Sequence, residues 1–143
     1  MQMSTRGRYG ARVMLELALR YDEGSIPLKE IADRQEISPK YLVQIITSLK
    51  AAGLVISARG SAGGYVLGRP PSQITLSEVI QAMEGSLAPV ACADNGKHCK
   101  RAGFCAMRDV WLQIKNAMDD ILGSINLENL AQRQVRKMSS LNH

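Results

Sequence analysis

Residues 38–67 leave this 143-residue chain few folds to choose from. Ser38 is a good helix N-cap, and Pro39 suits the first helical position, where its missing N–H is not needed. From there Leu42, Ile45, Ile46 and Leu49 recur at i, i+3, i+4 and i+7, the buried stripe of a helix over about 39–52. Lys40, Tyr41, Val43, Gln44, Thr47 and Ser48 fall on its other face. Gly53 ends the helix as a C′ glycine would. Leu54 to Ser57 reads as a strand, residues 59–64 as a basic, glycine-rich tip, and Tyr65 to Leu67 as the returning strand.

The flanks complete the pattern. Tyr9, Val13, Leu17 and Ala18 share a face of a first helix over 8–21, and Leu28, Ile31 and Ala32 mark a short second helix over 28–35. A helix, a helix–turn–helix and a hairpin in that order predict a mainly α fold with a small β wing, the winged helix-turn-helix. Thr75-Leu76-Ser77-Glu78 has capping-box spacing and opens a further helix with Leu76, Val79, Ile80 and Met83 apolar.

Charge placement supports a DNA reader. Residues 1–70 hold ten Lys and Arg against six Asp and Glu, and residues 71–143 hold eight against seven. Between Glu36 and Glu78 there is no carboxylate, while Lys40, Lys50, Arg59 and Arg69 are present. Such a stretch suits a phosphate-facing surface, and equally a chance gap in a mildly basic protein. Gln44 can pair with adenine and Val43 can touch a thymine methyl, with Tyr41 and Thr47 beside them. Arg59 and Gly60 at the wing tip fit a narrow minor groove. Arg6, Arg8, Lys40 and Lys50 are candidate phosphate contacts, the alternative being ordinary solvated charges.

All three cysteines lie in one polar, glycine-containing loop, as Cys92, Cys99 and Cys105. Three thiolates on one segment can close around a soft metal or an iron–sulfur cluster. Zinc is an alternative, although no closely spaced cysteine pair occurs. A bare thiol switch is another, with Lys97, Lys100 and Arg101 near Cys99. His98 is a candidate fourth ligand, Asp94 another, and an exogenous thiol or water a third.

A late helix over 104–122 carries Val110, Trp111, Ile114, Ala117, Met118, Ile121 and Leu122 as one apolar stripe. A chain this small has little left to cover it, so Val110, Trp111, Ile114, Met118 and Ile121 are read as a homodimer interface; packing onto its own winged domain is the alternative. A last short helix spans 127–135, and a flexible tail spans 136–143. The chain thus divides into a DNA-binding domain (1–70), a connecting helix and linker (71–91), a cysteine loop (92–105), dimerisation and C-terminal helices (104–135) and that tail. No apolar run is long enough to span a membrane, no secretory signal opens the chain, and the odd cysteine count fits a reducing cytoplasm. No nucleophile–base pairing or phosphate loop argues for an enzyme.

Gly7-Arg8-Tyr9-Gly10, Ser38-Pro39-Lys40-Tyr41-Leu42 and the wing Arg59-Gly60-Ser61-Ala62-Gly63-Gly64-Tyr65-Val66-Leu67 resemble the IscR, NsrR and CymR type of bacterial regulators over about residues 1–125. The resemblance implies a homodimeric winged-helix transcription factor; the winged-helix pattern and the acid-free basic stretch point to an inverted-repeat site in double-stranded DNA, and a repressor is the expected type. With three cysteines, it implies an iron–sulfur cluster, 2Fe–2S ahead of 4Fe–4S, that senses iron–sulfur status, redox state or nitric oxide. A cysteine-metabolism or thiol-redox regulator without a cluster, or with zinc in the loop, is the alternative. IscR-type loops commonly space their cysteines by five and five residues, with a histidine three positions after the last. Here the spacing is six and five, and that position is Arg108. The N-terminal region, where NsrR-type proteins carry a ligating carboxylate, reads Arg6-Gly7-Arg8.

Overall fold

Ser4 begins the first helix: its hydroxyl accepts from the Gly7 N–H at 3.0 Å, so α1 runs Thr5–Leu19 and starts earlier than its apolar pattern indicates. The computed structural model describes residues 2–59 and 63–141. α2 (Leu28–Gln35) ends at Glu36, which adopts the left-handed conformation with φ 54° and turns the chain sharply toward α3. α3 (Pro39–Ala51) is capped by Ser38, whose hydroxyl accepts from the Tyr41 N–H at 3.2 Å. Its buried residues are the expected Leu42, Ile45, Ile46 and Leu49.

Gly53, at φ 74°, reverses the chain into the wing. β1 (Val55–Ala58) pairs antiparallel with β2 (Gly64–Leu67), with Val55 opposite Leu67 and Ala58 opposite Gly64. Ile26 adds an isolated bridge to β2: its N–H and C=O both bond to Tyr65, at 3.0 and 2.9 Å. The wing is therefore tied to the linker before α2 as well as to α3. The result is mainly α with a two-stranded wing, a winged helix-turn-helix.

α4 (Leu76–Glu84) opens with the expected capping box between Thr75 and Glu78. Arg69, at the base of the wing, donates to Glu78 Oε1 at 2.7 Å. α4 packs along α1, and one core joins α1 to α4, the wing and Leu127.

Beyond α4 come the short α5 (Ala91–Asp94), a 3-10 turn over 96–98, and α6 (Ala106–Gly123). The chain then re-enters the core. Leu76 N–H bonds to the Ile125 carbonyl and Leu127 N–H to the Ile74 carbonyl, both at 2.9 Å, and Leu127 is fully buried. α7 (Leu127–Leu141) continues well past the expected end at Val135 and lies along α1. The expected flexible tail is thus helical as far as Leu141. Residues 127–141 contain no glycine or proline, and Gln132, Arg133, Arg136, Lys137 and Met138 all favour helix, so nothing local stops it. No helix among the described residues is long and apolar enough to cross a membrane.

Candidate DNA interface and cysteine segment

With its stripe buried, α3 must present the rest of its surface. Lys40, Val43, Gln44, Thr47 and Lys50 are all exposed, Val43 at 46%. Thr47 donates its hydroxyl proton to the Val43 carbonyl at 2.7 Å, so its oxygen is left to accept and its methyl to touch. Tyr41 departs from the outward placement expected of it. It is half-buried, and its ring meets the Tyr9 ring edge-on, with centroids 6.1 Å apart at 85°. Arg12, which sequence reasoning passed over, lies 5.0 Å over the other ring of this pair and bonds to the Gln35 side chain and carbonyl. Together they brace α1 against the turn before α3.

Arg6 reaches from α1 and donates to Ser48 Oγ, which brings its guanidinium to the α3 surface. Arg8 is exposed, and its guanidinium donates to Thr5 Oγ1 at 3.2 Å. Arg59 is exposed just beyond β1, and Gly60 lies outside the described residues. Arg69 is engaged by Glu78 instead of facing outward alone. Burial pushes the Glu78 carboxyl up, but the Arg69 guanidinium and the Thr75 N–H outweigh it and hold the group below its ordinary value.

The cysteine segment begins after Gly85, whose φ of 73° turns the chain away from α4. Ser86 Oγ donates to Asp94 Oδ1 at 2.5 Å, so Asp94 already has a structural partner. Cys92 lies in α5, Cys99 caps the 3-10 turn, and Cys105 is the N-cap of α6. All three are half-buried free thiols, while His98 is exposed. Arg108, one turn into α6, reaches back: its Nε donates to the Cys92 carbonyl at 3.0 Å. The same guanidinium packs against Gly96, where an added Cβ would stand 3.3 Å from it. This strap joins the two ends of the segment.

Three free thiols within one short segment suit a soft metal or an iron–sulfur cluster chemically. Their present placement is open. Among the described residues, no three His, Cys, Asp or Glu side chains gather closely enough to hold one ion. Cys92, Cys99 and Cys105 sit on separate pieces of local structure, and the described residues do not gather them, with or without His98, into one group.

α6 has no fully buried residue. Met107, Val110, Ile114, Ala117 and Ile121 recur at alternating spacings of three and four, and all but the half-buried Ile114 are exposed. Trp111, Met118 and Leu122 lie on a different line and are half-covered. Met118 lines a cleft with Met3, Glu84, Leu87 and Pro89, and Leu122 one with Ile80 and Gln81. The stripe read from the sequence is therefore two stripes: one toward the protein's own α4, one outward.

Comparison with known proteins agrees with this architecture. The family model described as Rrf2, iron-dependent transcriptional regulator, matches residues 3–133. The transcriptional regulator CymR of Bacillus subtilis is 41% identical over 131 residues, which cover 92% of this chain and 90% of that protein. The regulator IscR of Xenorhabdus nematophila is 39% identical over 135 residues, covering 94% and 81% respectively. The structure of B. subtilis CymR, described as the global cysteine regulator, superposes with a TM-score of 0.79 at 40% identity, covering 93% of this chain and 98% of that one. The T. potens IscR structure gives 0.78 at 36% identity, covering 94% and 88%. This winged-helix chain belongs to the Rrf2 family of transcriptional regulators.

Proposed function

We propose that this protein is a homodimeric, DNA-binding repressor, and not an enzyme, that reads an inverted-repeat promoter site and adjusts its grip through the cysteine segment. The observation that carries the reading is the α3 surface. Lys40, Val43, Gln44, Thr47 and Lys50 are exposed together on a helix whose other face is fully buried, within a stretch free of carboxylates from 37 to 77. Lys40, Lys50, Arg6 and Arg8 would hold phosphates and fix register. Gln44 and Val43 would read base edges, with the Thr47 methyl and oxygen beside them, and Arg59 would enter the minor groove from the wing. Tyr41, at the start of α3, packs edge-on against Tyr9 of α1.

Two such helices need a twofold partner. The outward stripe Met107, Val110, Ile114, Ala117 and Ile121 is the surface proposed to supply it. Cys92, Cys99 and Cys105 are the residues that would hold an iron–sulfur cluster, which when bound supplies an oxidisable, labile centre beside the dimer helix. Arg108 keeps the two ends of the segment in reach of each other. The placement of the thiols on three separate elements also favours a second reading: a thiol-responsive regulator of the same fold without a cluster, or one with zinc.

Two measurements test the proposal. Binding to genomic promoter fragments, with and without metal, should reveal a specific palindromic site; no specific site in either form would refute the DNA reading. Iron and acid-labile sulfide in anaerobically purified protein should be near stoichiometric. Colourless protein with zinc, or with neither metal, would leave the second reading in place.

A further inference from the structure

Ser4 is held by a residue eighty positions away. Its N–H donates to Glu84 Oε1 at 3.0 Å, and its hydroxyl bonds to the same oxygen while accepting from Gly7 N–H. The backbone makes room for this carboxylate. A Cβ on Gly7 would overlap Glu84 Oε1, and one on Gly10, a turn later, would lie 2.6 Å from Met83 Cγ. A larger residue at Gly7 or Gly10 would displace the Glu84 or Met83 side chain from its present place, in which the carboxylate stands against the positive end of α1.

Two chains of contact meet at this point. On one side, Arg6, two residues after Ser4, reaches Ser48 on the outer part of α3. On the other, Glu84 is the last residue of α4, and Gly85 immediately turns the chain into the cysteine segment.

We infer that Glu84 is a positioning residue of the DNA interface: by clamping Ser4 it sets the start of α1, places the Arg6 guanidinium on the α3 face, and stands where any movement of the cysteine segment first meets the DNA-binding core. The inference rests on reading α3 as the DNA-facing helix. Displacement of Gly85 by closure of residues 86–105 would then reach Arg6 through a single carboxylate.

The test is a double-variant cycle read by DNA binding and by amide exchange. Glu84→Ala should weaken specific binding by about tenfold and lower the salt dependence by about one ion, as Arg6→Ala does, because both free the same phosphate contact. In an Arg6→Ala background, Glu84→Ala should add little, since the two act in series. Amide exchange at residues 4–8 should quicken in Glu84→Ala, with the rest of α1 protected. Glu84→Gln, which keeps the volume and one acceptor, should fall between wild type and Glu84→Ala and guards against a simple loss of folding. Independent, multiplying effects, an unchanged salt slope, or unchanged exchange at residues 4–8 in a wild type that binds DNA would overturn the inference alone. A wild type that binds no specific DNA would overturn the DNA reading and this inference with it.

Discussion

The outward stripe of α6 makes a quantitative prediction. Ile121 is 60% exposed in the single chain. Burying a whole isoleucine side chain contributes about 1.5–3 kcal/mol, so covering that remaining fraction contributes about 0.9–1.8 kcal/mol. In a twofold interface every substitution occurs twice, which makes the loss about 1.8–3.6 kcal/mol per dimer. At about 1.4 kcal/mol per decade this is a rise of roughly 20- to 400-fold in the dimer dissociation constant. Ile121→Glu should exceed even that, because two carboxylates would also have to lose water. In the monomer the same glutamate is solvated, and its charge in the last turn of α6 costs only about 0.3–1 kcal/mol. Sedimentation equilibrium across a dilution series should therefore show a weakened dimer, with helical circular dichroism kept. A dissociation constant within threefold of wild type would refute the assignment of this stripe. So would loss of helix, which would mean that the stripe is buried within one chain.

Other perturbations address the remaining parts. Gln44→Ala should lose about 1–3 kcal/mol of discrimination at one A·T pair per half-site, whereas Lys50→Ala should weaken all sequences alike and flatten the salt dependence, both read by competition binding. Leu127→Ala, at a fully buried position, should cost about 2–5 kcal/mol in urea unfolding; a change below about 1 kcal/mol would mean that α7 is only loosely docked. The Glu78 carboxyl titrates below its ordinary value of 4.5, so its contribution is complete above that value and is lost as the pH falls through the folded-state titration. Glu78→Gln should therefore be less stable than wild type near neutrality and converge with it in acid, and a gap that persists into acid would assign the effect to the cap alone. Cys99→Ala should lower bound iron and sulfide to background after anaerobic purification; full retention would exclude Cys99 as a ligand.

What could be read from the sequence divides along range of contact. The caps at Ser38 and Thr75, the α3 stripe and the hairpin rest on neighbours within a few residues, and each appears where its pattern puts it. Contacts between distant residues were not legible. Tyr41 looks outward until Tyr9, from another helix, is set against it. Arg69 looks like a free cation until α4 delivers Glu78. Ile26 belongs to a linker in the sequence and to the sheet in space. The α6 stripe has the right residues, but its division into an inward and an outward line depends on where α4 lies. The cysteines show the same limit: their clustering in the chain is plain, while their distribution over α5, the 96–98 turn and the start of α6 is not.

The chain leaves its core at Glu84 and returns at Ile125 to Leu127, which bond to Leu76 and Ile74 at the start of the helix it left. Exit and re-entry are thus held by one short helix, and everything between them is a closed excursion. Residues 86–124 should be exchangeable as a unit, provided that Leu76, Leu127 and their bonds are kept and the α4 face that α6 covers is covered again. A graft between relatives should be cut at those two anchors, and a scaffold closed by a short linker from residue 85 to residue 125 should keep its winged domain folded.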